Sequence, residues 1–309
     1  MNFTNGSTLL KSCHRHQWTI SEAMLKRETT YLENTPEETE VRMHHAWEIM
    51  KDAVRTALEK ELTSVGGLIG GEARKLNARR LAGKSISGPL TAKAIAYAMG
   101  VLEVNASMGL IVAAPTAGSS GVLPGVLLAI QEEHGFSDAE MEKALFNAGA
   151  IGYIISRNAT VAGAEGGCQA EVGAASAMAA SALTELFSGT PQMCLGAAAN
   201  ALSNLLGLVC DPIAGLVEAP CQKRNAIGAS NAIISAEIAL SGVENLIPFD
   251  EAVSAMLQVG RRLPPELRET ALGGMAATPT GCVLCKRIYR GQDEEEKISV
   301  DKSKNSGKI

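Results

Sequence analysis

Aromatic residues are scarce in this 309-residue chain, with two Trp, four Tyr and five Phe making up 4% of it. A core built with so few rings has to be filled by smaller side chains, and 31 glycines together with abundant alanine are there to fill it. Small side chains let helices approach closely and leave backbone exposed around a site. Positive charge is also short. The net charge is −5, and no basic stripe interleaved with aromatics occurs of the kind that nucleic-acid binding needs, so nucleic acid is excluded as a partner. The start, MNFTNGSTLLKSCHRHQ, lacks the apolar run of a secretory signal. The uncharged stretches Val104–Gln131 and Leu186–Cys210 both contain proline together with glycine, serine or asparagine, and neither is flanked by a basic cluster. They read as buried core and not as membrane spans. Seven cysteines, an odd number in a chain of this length, do not form a disulfide framework, and a reducing cytoplasm is the expected compartment.

What is present is helical. Strand-type alternation of Val, Ile and Tyr is almost missing, whereas capping boxes stand at Thr19–Glu22, Thr35–Glu38 and Ser137–Glu140. After the second box, Met43, Trp47, Met50, Val54 and Leu58 recur at spacings of three and four and line one helix face. Segments 171–187, 195–209, 228–240 and 250–260 are rich in alanine and leucine at helical spacing. The predicted fold is mostly α, a single helical domain over 19–291 with glycine-rich loops around a buried site. It is preceded by a flexible segment 1–18 and followed by a disordered charged tail 292–309. Residues 64–92 are polar and rich in Gly, Lys, Arg and Ser, as a hinge or a loop over the site would be.

Three of the seven cysteines stand in turns punctuated by glycine or proline: Gly166-Gly167-Cys168, Cys210-Asp211-Pro212 and Ala219-Pro220-Cys221. Thiolates on turns can converge on an inorganic cluster, with backbone N–H groups available to the sulfurs. Their separations of 42 and 11 residues are not a general metal signature, and buried free cysteine remains the alternative reading. Cys194 sits in an apolar helical stretch and reads as core, Cys13 as incidental. Cys282 and Cys285 form a lone CxxC without a second pair or a well-spaced histidine, a weak zinc signal. The loop Pro115–Gly121 is dense in hydroxyl and N–H donors of the kind that cradle a carboxylate, although a tight turn between buried helices reads equally well. It is not a P-loop, since no Gly-Lys-Ser/Thr follows. Glu171 follows Cys168 by three residues, and Arg224 and Asn225 follow Cys221 closely.

The runs NASMGLIVAAPTAGSSGVLPGV (105–126), GAEGGCQAEVGAASAMAAS (163–181) and CDPIAGLVEAPCQKRNAIGASNAI (210–233) closely resemble the alpha chain, or catalytic domain, of iron–sulfur-dependent bacterial L-serine dehydratase. The likeness extends from about Thr19 to Gly281 and closes on LGGMAATPTG. It implies a lyase that converts L-serine to pyruvate and ammonia. The implied cofactor is a [4Fe–4S] cluster held by Cys168, Cys210 and Cys221, with one iron open as a Lewis acid. Pyridoxal phosphate is not expected, because Lys84, Lys93 and Lys223 lack a pyridoxal-lysine context. With the resemblance added, Thr116, Gly118, Ser119, Ser120, Asn105, Glu171, Arg224 and Asn225 become candidate substrate-binding residues. A Ser-Ser-Ser-His-Thr type motif of the complete enzyme is missing, which implies a separate beta chain as partner. Cys282 or Cys285 is a candidate fourth cluster ligand. The alternatives are a related cluster lyase releasing sulfide from L-cysteine and a non-enzymatic cluster sensor; the general base is not identified.

Overall fold

The computed structural model describes residues 2–32 and 34–289. Among them no strand forms, and the nearest approach to one is an isolated parallel bridge between Cys210 and Arg268. The expected helix starts are all occupied. Helix α1 spans Gly6–His16, α2 Ile20–Thr30, α3 Pro36–Glu59 and α4 Glu72–Leu81; then come α5 Pro89–Ala106, α6 Val122–His134 and α7 Asp138–Asn158. Thr19, Thr35 and Ser137 each close a reciprocal capping box at the start of α2, α3 and α7. Each box satisfies backbone donors that the first helical turn leaves unpaired.

The second half holds the short α8 Gly163–Gly166, then α9 Ala174–Leu186, α10 Pro191–Asn204, α11 Cys221–Leu240 and α12 Phe249–Arg262; residues 279–289 are also helical. Helix α9 is the axis of the molecule. Every side chain from Ala174 to Thr184 is buried, because α9 packs against α6, α7, α10 and α11. A helix apolar all round belongs inside a core, and here six of its thirteen residues are alanine.

The scarcity of rings has a direct structural counterpart. A Cβ on Gly125 would lie 2.6 Å from the Ala98 nitrogen, and one on Gly121 would lie 2.0 Å from the Ala98 carbonyl oxygen, so α6 rests on the backbone of α5. Gly228 likewise brings α11 against Val172, and the Ser176 hydroxyl donates to the Gly228 carbonyl at 2.9 Å. Larger side chains would force these helices apart. Among the described residues, no helix is long and apolar enough to cross a membrane.

Two expectations change. Residues 1–18 are not a loose end: Asn5 caps α1, and Phe3, Leu9 and Cys13 are buried in the core. The Asp250 carboxylate of α12 accepts the N–H groups of Gly6 and Ser7 at 2.6 and 2.9 Å, which ties the N-terminal helix to the far end of the chain. Such a contact spans 244 residues and leaves no local signal. Cys13 is accordingly part of the core and not incidental. Within the polar stretch 64–92, residues 72–81 fold as α4 and 89–92 open α5, which leaves 64–71 and 82–88 as loops, the first of them against Glu218 in the turn before Cys221. The tail expected at 292–309 lies outside the described residues.

Candidate active site

The three cysteines come from three different local devices. Gly167 takes a left-handed φ of 77°, which reverses the chain after α8 and delivers Cys168 into a π-helical turn, Gln169–Gly173, ahead of α9. Its methylene leaves room for the Leu208 carbonyl, which a Cβ would approach to 2.8 Å. Cys210 is fixed by its backbone, its N–H donating to the Leu267 carbonyl at 2.9 Å and its carbonyl accepting from Glu269 N–H at 2.6 Å. Cys221 is the first residue of α11 and not a residue of the preceding turn.

All three thiols are buried and lie within electrostatic reach of one another. Burial pushes the Cys168 thiol up to about 12, with Glu171 adding to the rise and the Arg224 guanidinium opposing it. Burial first, then Cys168 and Glu171, pushes Cys221 up to about 12. Cys210 is driven higher still by burial, Glu171, Cys168 and Glu269. Three buried thiolates side by side are unfavourable by themselves, and a cationic group bound to all three offsets that cost. Among the described residues no three His, Cys, Asp or Glu side chains close round a single ion. By the chemistry of the donors, three cysteine sulfurs are a set that an iron–sulfur cluster can accept.

Glu171 faces the sulfurs. Its Oε2 lies 3.8 Å from Cys210 Sγ, and its Oε1 accepts from the Thr116 hydroxyl at 2.7 Å. Two glycines make room for this carboxylate, since a Cβ on Gly163 would sit 2.6 Å from Oε2 and one on Gly118 3.0 Å from Oε1. Burial raises the Glu171 pKa above the usual carboxylate value; Thr116 pulls it down and Glu269 raises it further.

The structure assigns the other candidates to several duties. Ser119 and Ser120 are fully buried; the Ser120 hydroxyl donates to the Ala117 carbonyl at 2.7 Å, and that of Ser119 lies 3.4 Å from the Ala114 and Thr116 carbonyls. These hydroxyls hold the loop's own shape. Asn105 donates to the Ala117 carbonyl at 3.3 Å from outside the loop. Asn225 staples the loop to α11: its Oδ1 accepts from Gly121 N–H at 3.0 Å, and its Nδ2 donates to the Gly118 and Cys221 carbonyls.

Arg224 donates to the Val209 carbonyl at 2.8 Å and sets Nη2 2.7 Å from Asp211 Oδ1, close enough for an ion pair though not aligned as a hydrogen bond. Burial pulls its pKa down, but Cys168 and Asp211 outweigh that and hold the guanidinium charged. Cys282 and Cys285 lie on the helical stretch 279–289. Cys282 is exposed, with its thiol directed at the Ala276 carbonyl, and Cys285 is half-buried.

A sequence model of the family described as "Serine dehydratase alpha chain" matches residues 15–276. The chain belongs to the serine dehydratase alpha chain family. It is 49% identical over 289 residues to "Probable L-serine dehydratase, alpha chain" of Bacillus subtilis, covering 94% of this chain and 96% of that one. With "L-serine dehydratase, alpha chain" of Peptoniphilus asaccharolyticus it shares 45% identity, covering 88% and 94%. "L-serine dehydratase" of Helicobacter pylori is 36% identical; the match takes in 90% of this chain but 62% of that longer protein.

Three residues of this serine dehydratase alpha chain family member escaped the sequence reading. Asp211 follows Cys210 directly and pairs with Arg224 while accepting Met275 N–H at 2.7 Å. Its place next to a candidate ligand was the only available signal. Glu218 lies buried three residues before Cys221. Glu269 reaches Cys210 only through the bridge between Cys210 and Arg268, a pairing that nothing in the local sequence announces.

Proposed function

We propose that this chain is the catalytic subunit of an L-serine dehydratase, an ammonia-lyase that converts L-serine to pyruvate and ammonia. It holds a [4Fe–4S] cluster on Cys168, Cys210 and Cys221, needs no pyridoxal phosphate and works with a separate beta chain in the cytoplasm. The observation that carries this reading is the meeting of the three buried cysteines around Glu171 in a member of the serine dehydratase family. Support for the partner comes from the names of its alpha-chain relatives and from the H. pylori protein, of which the match covers 62%.

Dehydration breaks the Cα–H and Cβ–O bonds, releases water and leaves aminoacrylate. That enamine tautomerises to an imine, and a second water hydrolyses it to pyruvate and ammonia. Three protein thiolates leave one of four irons without a protein sulfur, and when bound the cluster supplies Lewis acidity there for the leaving hydroxyl. The chain's own residues provide the rest. Ala117 and Gly118 lie between the loop's internal bonds and present backbone N–H groups to the substrate carboxylate. Thr116 orients the Glu171 carboxyl, which holds a proton more readily than an exposed glutamate and exchanges it with substrate. Arg224, fixed by Asp211 and the Val209 carbonyl, keeps positive charge beside Cys168.

The test is anaerobic purification of the chain with and without its candidate beta chain, followed by the cluster's absorbance and electron paramagnetic resonance and by assays with serine and cysteine. The expected result is a cluster in the chain and pyruvate from serine, fastest with the partner present. Absence of a cluster from anaerobic protein overturns the proposal, and sulfide from cysteine without pyruvate from serine replaces its substrate.

A further inference from the structure

Beside the cysteine turns lies a buried carboxylate that takes no part in the chemistry proposed above. Glu218 is 2% exposed, and among the described residues all of its side-chain partners are neutral donors from one loop, the strap 62–71 between α3 and α4. Ser64 Oγ donates to its Oε2 at 2.6 Å, Gly66 N–H to its Oε1 at 2.6 Å and Leu68 N–H to Oε2 at 3.1 Å. The same Ser64 oxygen accepts from the N–H groups of Leu68 and Ile69, each at 3.1 Å, so one serine and one glutamate organise the whole bend.

The strap lies flat on the turn that leads to Cys221. A Cβ on Gly66 would stand 2.5 Å from Leu216 Cδ1 and 3.0 Å from Glu218 Oε1. The strap is in turn anchored to the scaffold. Val65 N–H donates to the Ala106 carbonyl at the end of α5, and Gly71 and Ala73 N–H donate to the buried carboxyl of Glu103 in α5. Glu103 also accepts from Gln222, the residue after Cys221, at 2.7 Å. The backbone carbonyl of Glu218 accepts from Gln222 N–H in the first turn of α11.

Cys221 is thus bracketed. Three residues before it, Glu218 grips a strap held by α5; one residue after it, Gln222 grips Glu103, which holds the strap's other end. A buried carboxylate without a cation is costly unless its oxygens are fully used, and those of Glu218 are used on a single task.

We infer that Glu218 is a positioning residue: by clamping the strap 62–71 it presets Cys221 in the cluster-free chain, so that the third sulfur is in place before the cluster arrives and stays in place while it is bound. The second half of this inference rests on the cluster reading above, whereas the first concerns the polypeptide alone.

The experiment uses the full chain, first without cluster. Iodoacetamide labelling, followed by peptide mass spectrometry, reports the accessibility of Cys221 with buried Cys194 as internal reference. Far-ultraviolet circular dichroism confirms that each variant is folded. Glu218→Ala should raise the labelling rate of Cys221 at least tenfold while Cys194 stays unchanged. Glu218→Gln, which keeps one acceptor oxygen, should fall between parent and Glu218→Ala. Ser64→Ala, which removes only the hydroxyl relay, serves if Glu218→Ala does not fold, and it should raise the rate severalfold. After anaerobic reconstitution, the same variants should lose iron to a chelator faster than the parent, in the same order. Unchanged Cys221 labelling in folded variants, or an equal rise at Cys194, overturns the inference. A parent chain that takes up no cluster but shows the labelling order sinks the cluster reading and leaves the clamp standing.

Discussion

Replacing Gly163 by alanine adds one methyl group at the place where Glu171 and Cys210 meet. Gly163 opens α8 with ordinary helical backbone angles, so alanine imposes no backbone strain and the methyl is the whole perturbation. It would sit 2.6 Å from Glu171 Oε2 and 3.0 Å from Cys210 Sγ, where ordinary contact begins at 3.4 Å. The carboxylate oxygen has to retreat by about 0.8 Å and the sulfur by about 0.4 Å. Retreat is opposed on the far side, because Glu171 Oε1 is bonded to the Thr116 hydroxyl at 2.7 Å. A shift of that size stretches the Thr116 bond towards about 3.5 Å, beyond useful hydrogen bonding. Overpacking of this kind costs about 1–3 kcal/mol, and alanine's better helix propensity returns up to about 1 kcal/mol, so the net loss of stability is about 0–3 kcal/mol. The effect on the site is larger: displacing a catalytic group by about 1 Å can lower turnover roughly 100-fold. Thermal unfolding and pyruvate formation with the partner chain measure the two effects separately. Gly149→Ala is the reference, since its Cβ meets only Met24 Cε at 3.9 Å. That variant should keep full activity and gain about 0.5–1 kcal/mol from helix propensity alone. A Gly163→Ala enzyme with parental turnover would refute the idea that Glu171 must lie in its glycine-lined slot.

Glu171→Gln keeps the size and the Thr116 contact but cannot carry the proton, and it should lower kcat by about 10²–10⁴-fold with KM for serine little changed; a rise in KM alone would reassign Glu171 to binding. Arg224→Met leaves Asp211 buried without its cation and should cost about 3–5 kcal/mol in chemical denaturation, while Arg224→Met with Asp211→Leu should recover most of it. If the double variant is no better than the single one, the ion pair is not what the arginine satisfies. Away from the site, Asp138 is held down to about 2 by hydrogen bonds from Gln131, Lys51 and Trp47. A carboxylate depressed in the folded chain contributes stability above its unfolded pKa, near 3.8, and loses that contribution as pH falls towards 2. Parent and Asp138→Asn should therefore differ in melting temperature at pH 6 and converge between pH 4 and 2; parallel curves would show that Asp138 is not titrating in that window.

Much of the scaffold was legible because its signals are local. A Thr or Ser followed three residues later by Glu marks a helix start through hydrogen bonds made within one turn, and α2, α3 and α7 begin where those boxes predict. The apolar face of α3 follows from a spacing of three and four, and Trp47, Met50 and Val54 are buried on it. The π-helical turn at Gln169–Gly173, just after Cys168 and ahead of α9, had no counterpart in the local sequence pattern. The order in α1 depends on Asp250, and the clamp on the strap depends on Glu218, more than 150 residues away in each case.

Among the site candidates, sequence proposed a set of polar and sulfur side chains, and folding distributed the work among them. Ser119 and Ser120 have the donors that a substrate carboxylate needs, but burial turns those hydroxyls onto their own loop. Arg224 carries the charge expected of a substrate contact, but the neighbouring Asp211 and the thiol of Cys168 claim it. By itself the sequence determined the chemistry available to this protein: which thiols, which carboxyls and which small residues, each written in the chain and recognisable in its motif. Only the tertiary structure decided which of them meet, because packing glycine against alanine backbone brings three distant cysteines, one glutamate and one arginine into a space that a few larger side chains would have closed.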